Sequence, residues 1–186
     1  MVGKQKMKVL VVSDTHGNIE NAKIILEQVI SKGVEVVLHC GDYVSDARLI
    51  QKCYPEIQVY SVYGNCDVGF GGAYSEVVTL DGVSIYMSHG HKYGVKWGDY
   101  EEMIIDALAH EASIAVCGHS HEAYLESQQD VLIMNPGSLT LPRDSKYPSY
   151  GILEIRDGHI KEVSIMQLLR DGKIRQHPIS SKFNKL

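Results

Sequence analysis

Asp14-Thr15-His16-Gly17-Asn18 follows the apolar run Val9-Leu10-Val11-Val12 and precedes a stretch of helical spacing. A buried strand ending in a sharp polar turn is where α/β proteins place their chemistry, outside the carboxyl ends of the strands. Asp14 and His16 stand two residues apart, a spacing that in extended backbone points both side chains the same way. A carboxylate oxygen beside an imidazole nitrogen is half of a site for a divalent cation. The same residues also suit a helix cap and a surface histidine, so the pair alone decides nothing. The recurrence of the pattern is what decides. Further apolar runs end in Gly41-Asp42, Gly64-Asn65-Cys66-Asp67, Ser88-His89-Gly90-His91 and Gly118-His119-Ser120-His121.

The elements that must position these turns follow from hydrophobic period. Residues 9–12 are β-branched-rich without polar alternation, as in a central strand buried on both faces. Residues 19–30 place Ile24, Ile25, Gln28 and Val29 at helical spacing, with Gly33 as the stop. Strands are expected at 35–40 and 57–62, separated by a helix over 46–53 that Pro55 ends. Residues 76–80 and 83–88 form a hairpin across Asp81-Gly82. A helix over 99–110 carries Met103, Ile104, Ala107 and Leu108 on one side. Strands follow at 112–116, 123–127, 131–134, 150–155 and 160–168. Strands alternating with helices imply parallel βαβ units first and more antiparallel pairing later. The expected fold is α/β: two packed mixed β-sheets, a β-sandwich, flanked by α-helices, with the ligand-type residues along one edge. It is one domain over 1–186, with residues 1–6 and about 178–186 flexible and the tail after Arg170 peripheral.

Composition narrows the class. The 186 residues are 44% hydrophobic and 22% charged, with a net charge of −5. That balance gives no bulk electrostatic case for nucleic acid or an anionic membrane. No apolar run reaches the ~18 residues of a membrane span, and the start lacks a signal peptide's apolar segment, so the cytoplasm is the default expectation. Cys40, Cys53, Cys66 and Cys117 form no C-x-x-C pair. The sixth positions after them are Asp46, Val59, Gly72 and Ala123, so none opens the C-x5-R loop of a cysteine-nucleophile phosphatase.

Asp14, His16, Asp42, Asn65, His89, His119 and His121 offer seven oxygen or nitrogen donors and no thiolate. One carboxylate shared between two cations leaves each with four protein ligands and open positions for water and substrate. Two ions about 3.5–4 Å apart suit hydrolysis of phosphate esters. Mixed nitrogen and oxygen donors favour Mn, Fe, Ni, Co or Zn over Mg or Ca.

In this order the blocks resemble the calcineurin-like metallophosphoesterases, specifically their small single-domain bacterial and archaeal phosphodiesterases. The family pattern is D-x-H, G-D, G-N-[HC], G-H, G-H-x-H. The fourth block departs from it: Ser88 precedes His89, and Gly90 follows. The resemblance implies that Asp14, His16 and His121 hold a first divalent ion. Asn65, His89 and His119 hold a second, and Asp42 bridges them. Manganese is the foremost candidate, with Ni, Fe, Co or Zn as alternatives. The ligands and the bridging hydroxide would leave a net charge of about +1, which attracts a phosphate ester. The implied activity is that of a phosphodiesterase acting on small esters through a metal-bridging hydroxide, with Asp42, Asn65, Cys66 and His119 in catalytic roles. The implied assembly is a homodimer or homotetramer. Two alternatives stay open: a phosphomonoesterase or nucleotidase on the same site, and a non-catalytic scaffold.

Several residues carry two readings. Cys66 stands where many relatives have a phosphate-contacting His, and it also suits a small buried position. Asn18 contacts substrate or caps the helix. Arg143 clamps a phosphate or faces solvent. His91 sits beside the ions or in an exposed loop. Asp67 orients a ligand or makes an Asx-turn. His39 reads as packed, and His110, His159 and His177 as solvent-facing.

Overall fold

A computed structural model describes residues 6–69 and 72–183. Strands β1 (Met7–Val12), β2 (Val34–His39) and β3 (Gln58–Ser61) pair in parallel, with helices α1 (Glu20–Val29) and α2 (Val44–Cys53) as their crossovers. A second sheet is built from β4 (Ser75–Leu80), β5 (Val83–Ser88), β6 (Ile114–Val116), β7 (Ala123–Gln128) and β8 (Val131–Pro136), with α3 (Glu101–Ala109) between β5 and β6. Its order is β4-β5-β6-β8-β7. Pairing is parallel at β5/β6 and β6/β8 and antiparallel at both edges. Strands β9 (Ser149–Arg156), β10 (His159–Leu168) and β11 (Ile174–Gln176) then return to the first sheet. They add antiparallel strands beside β1, giving β11-β10-β9-β1-β2-β3. The expected mixed two-sheet sandwich is thus the observed architecture.

The period-2 alternation of strands explains the layering. Val9 and Val11 of β1, with Val36 and Leu38 of β2, face Ile85, Met87, Ile114, Val116 and Met134 of the opposite sheet. Leu10, Val12 and Val37 point outward, where α1 covers them with Ala22, Ile25, Leu26 and Val29. The outer face of the second sheet packs Tyr86, Ala115 and Ile133 against Met103, Ile104 and Ala107 of α3. Both expected helix faces shift slightly. Ile24 and Leu108 are exposed, because each helix rests one stripe on a sheet and those positions lie just round from it. Among the described residues no helix is long and apolar enough to cross a membrane.

The C-terminal segment has an anchor of its own. Residues 1–5 and 184–186 lie outside the described residues, and 178–183 take up a helix. They form α4 (Pro178–Phe183), and β11 precedes it as an edge strand. The anchor is polar, which is why hydrophobic period did not show it. Ser180 is fully buried; its Oγ accepts from the Ile165 N–H at 2.5 Å and donates to the Ile165 carbonyl at 3.1 Å. His177 is also buried rather than solvent-facing. Its Nδ1 accepts the Ile179 N–H, so Nε2 carries the proton and donates to Asp144 Oδ2 at 3.3 Å. Burial pushes the Asp144 carboxyl up, but the bonds from His177 and Ala123 hold it below its ordinary value. His110 and His159 are exposed as expected.

Ser180→Ala leaves the buried Ile165 N–H without its partner, while the Ile165 carbonyl keeps the His177 N–H at 2.8 Å; the loss is about 1–3 kcal/mol. Urea denaturation should show a lower midpoint with an unchanged slope. An unchanged midpoint would mean the tail is undocked in solution.

Candidate metal centre

The carboxyl ends of β1, β2, β3, β5 and β6 converge at one edge of the sandwich, because parallel strands in each sheet run the same way. The turns beyond them are stitched together. Cys40 N–H donates to the Val12 carbonyl at 2.7 Å and Gly118 N–H to the His89 carbonyl at 3.0 Å. Two glycines allow this approach. A Cβ on Gly64 would lie 2.4 Å from the Asp42 backbone, and one on Gly118 would lie 1.8 Å from Ser13 Oγ and 2.6 Å from Asp14 Oδ2. Asp14, His16, Asp42, His119 and His121 all hold positive φ, between 49° and 86°. Such conformations cost L-residues roughly 1–2 kcal/mol each, so the surrounding bonds must impose them.

Asp14, His16, Asp42 and His121 bring one candidate ligand atom each within 4.8 Å of one another. Asp14 is fully buried, and its Oδ1 has no hydrogen bond. His121 Nδ1–H donates to the Leu141 carbonyl at 2.9 Å, which leaves Nε2 facing Asp14 Oδ1 at 3.2 Å. His16 Nδ1 lies 3.0 Å from Asp42 Oδ2, and its Nε2 lies 3.1 Å from His121 Nε2. Burial pushes the Asp14 carboxyl up, but His121 and His89 outweigh this and hold it below the ordinary range. Burial likewise pushes His121 down, and the facing Asp14 carboxylate overrides it. A carboxylate oxygen without a hydrogen bond and two imidazole nitrogens close to it form a donor set that could hold a cation. Donors about 2.0–2.2 Å from an ion stand roughly 3 Å apart, so these residues fit a divalent metal.

Asp42 reaches the other half with its second oxygen. His89 Nδ1–H donates to the Cys40 carbonyl at 2.8 Å, so Nε2 is free; it lies 3.5 Å from Asp42 Oδ1 and 3.0 Å from Asn65 Oδ1. The His119 ring stands 5.2 Å from that of His89, and its backbone N–H donates to Asp14 Oδ2 at 3.0 Å. Burial, reinforced by His89, pushes His119 down to about 4, so the ring is neutral at neutral pH and offers a lone pair. Asp14, His16, Asp42 and His121 thus form one group, with His89 and Asn65 beside Asp42 Oδ1 and the His119 ring beside that of His89.

The remaining candidates divide. Cys66 lies beside the cluster, its N–H 3.3 Å from Asp42 Oδ1. Burial and the nearby Asp42 push its thiol up to about 11. His91 packs 5.4 Å from His89 and 6.2 Å from His119, with Nδ1 buried and unpartnered. Asn18 Oδ1 accepts the Glu20 N–H at 3.0 Å, an Asx-type bond made from one residue before the helix N-cap, Ile19, which has no side-chain cap of its own. The Arg143 side chain is exposed, while its backbone N–H donates to the His121 carbonyl at 3.0 Å. Asp67 makes neither expected contact alone. Its two oxygens accept the Gly64 and Val44 N–H groups, each at 2.8 Å, joining the Asn65 turn to the start of α2. His39 is packed and fully buried, and burial pushes it down to about 4.

Sequence reading passed over the buried supports. Ser138 Oγ donates to the Asp14 carbonyl at 2.8 Å and accepts the Leu141 N–H at 2.8 Å. Asn135 Nδ2 donates to the Gly118 carbonyl at 2.7 Å. Both follow the apolar run of β8 in Asn-Pro-Gly-Ser, a turn signal that resembles any other loop until its partners are known.

A buried carboxylate–histidine cluster at the carboxyl edge of a two-sheet α/β sandwich marks a class of proteins with a candidate metal site at that edge. The chain belongs to the calcineurin-like phosphoesterase superfamily, whose domain pattern matches residues 7–158. It is 34% identical over 154 residues to the probable metallophosphoesterase YsnB of Bacillus subtilis, covering 81% of this chain and 86% of that protein. It is 27% identical over 171 residues to a phosphodiesterase of Methanocaldococcus jannaschii, covering 84% and 98%. The structure of Entamoeba histolytica Vps29 complexed with Zn2+ superposes with a TM-score of 0.74 at 25% identity, over 92% of this chain and 97% of that one.

Gly64→Ala forces a methyl into the Asp42 backbone, an overpacking cost of typically 1–3 kcal/mol. Manganese titration of the purified variant should show weakened binding even where circular dichroism shows it folded. Wild-type affinity would place Asp42 outside the metal centre.

Proposed function

We propose that the protein is a dinuclear metal-dependent phosphodiesterase acting on small phosphate esters. The observation that carries this reading is Asp42, whose two oxygens face different halves of the cluster, Oδ2 toward His16 and Oδ1 toward His89. Bound divalent ions would supply Lewis acidity toward the phosphoryl oxygens and acidify water for attack on phosphorus. The chain's residues do the rest. Asp14 and Asp42 supply the negative charge that holds the ions. The Cys40 and Leu141 carbonyls fix the ring orientation of His89 and His121, so each presents Nε2. Asn65 adds an oxygen donor without charge. Manganese is the first choice for this mixed nitrogen and oxygen set. On resemblance, the reading extends to a homodimer or homotetramer.

Asp42→Asn should lose most hydrolysis of bis-p-nitrophenyl phosphate and weaken both metal sites together. Full metal content with a wild-type rate would remove Asp42 from the bridge.

Cys66 gives this reading a chemical signature. A thiol near pKa 11 stays protonated at neutral pH, yet S–H is a weak hydrogen-bond donor to a developing alkoxide. Turnover should therefore favour good leaving groups, with nitrophenyl diesters faster than alkyl esters. Cys66→Ala should cost less than the ~10²-fold typical of removing a general acid, and Cys66→His should narrow the gap between leaving groups. The check is kcat/KM against leaving-group pKa for wild type and both variants. A flat wild-type dependence would show that another group already delivers the proton.

A further inference from the structure

Asp14 and His16 both sit in the left-handed region, at φ 54° and 49°, and Thr15 lies between them. Thr15 is fully buried although it is a polar residue in a turn. Its hydroxyl donates to Asp46 Oδ2 at 2.6 Å and stands 3.1 Å from His39 Nε2. His39 Nδ1 accepts the Gly41 N–H at 3.3 Å, which assigns the ring proton to Nε2 and makes it the donor to Thr15. Asp46 Oδ2 also accepts the Gly17 N–H at 2.8 Å. Asp46 is itself buried, in the first turn of α2, where a carboxylate is favoured by the helix dipole. The connected path His39–Thr15–Asp46–Gly17 spans the end of β2, the turn after β1 and the start of α2. It brackets His16 on both sides along the chain and ends two residues before Gly41-Asp42.

We infer that Asp46 and Thr15 are positioning residues: their hydrogen bonds lock the turn that carries Asp14 and His16 against the Asp42 turn, and so set metal affinity at that half of the centre. Neither residue is a ligand. The role rests on the metal centre proposed above. Metal-supporting hydrogen bonds beyond the ligands themselves typically change affinity by about 10–100-fold. The bond geometry separates this role from a charge effect. Thr15→Val keeps the volume and the Asp46 charge but removes the hydroxyl. Asp46→Asn removes the charge and so weakens the charge-assisted bonds from Thr15 and Gly17, although its amide oxygen still accepts them. Thr15→Ser restores the hydroxyl.

The test is calorimetric titration of metal-stripped full-length protein with Mn2+, alongside urea unfolding of each metal-free variant. Thr15→Val and Asp46→Asn should each weaken one class of site by about ten- to a hundredfold. The other class, which includes Asn65 and His89, should stay within about threefold, and Thr15→Ser should bind within about threefold of wild type by the same measure. Weakening by Asp46→Asn alone would assign the effect to charge and overturn the inference. Loss of both classes in proportion to lost stability would assign it to folding and overturn it as well. Wild-type affinity in both Thr15→Val and Asp46→Asn would refute the positioning role while leaving the metal centre intact. A wild-type chain that takes up no Mn2+ would instead refute the centre itself.

Discussion

Two carboxylates are buried side by side where the sheets meet their turns, and this is the constraint around which the rest is arranged. Asp14 is 0% exposed and Asp42 2% exposed. Removing such charges from water costs several kcal/mol each unless partners answer them. The partners present are His16, His89 and His121, together with backbone donors from His119 and Cys66. Even so, Asp14 Oδ1 has no hydrogen bond. The protein carries this electrostatic debt in its folded state, which makes a cation the natural complement of the edge.

The backbone bears a second cost at the same place. Left-handed conformations at Asp14, His16, Asp42, His119 and His121 put five of the seven candidate donors in turns that an isolated peptide would avoid. Rigid strands behind them and buried side chains beneath them impose these conformations. Ser138 holds the Asp14 carbonyl, Asn135 holds the Gly118 carbonyl, and Asp67 ties the Asn65 turn to α2. Strain concentrated at a functional edge and compensated elsewhere is a recurrent arrangement in proteins. Here the compensation is chiefly polar and buried.

This division explains what could be read before the structure. Apolar period revealed the strands from β1 to β10 because inner and outer faces of Val9–Val12 and Val36–Leu38 both pack in cores. The Asp81-Gly82 hairpin was legible for a local reason: both residues hold positive φ, at 44° and 82°. The candidate donors were legible because each follows such a strand. The supports were not. Thr15, Asp46, Ser138 and Asn135 are ordinary polar residues whose roles depend on partners 17 to 124 positions away. The tail escaped notice for the same reason, since Ser180 and His177 anchor it through hydrogen bonds.

The rim of the centre has its own consequence. Asn65 is exposed, and His16 and His119 are half-buried, so bulk solvent touches the edge where phosphorus would sit. Enzymes that hand a group to a chosen acceptor must shut water out while they do so, because water is the competitor present in greatest excess. A centre opening directly onto solvent has no such selectivity among acceptors. A phosphoester bound at such an edge would lose its group to water, so any turnover there would break bonds irreversibly rather than exchange them.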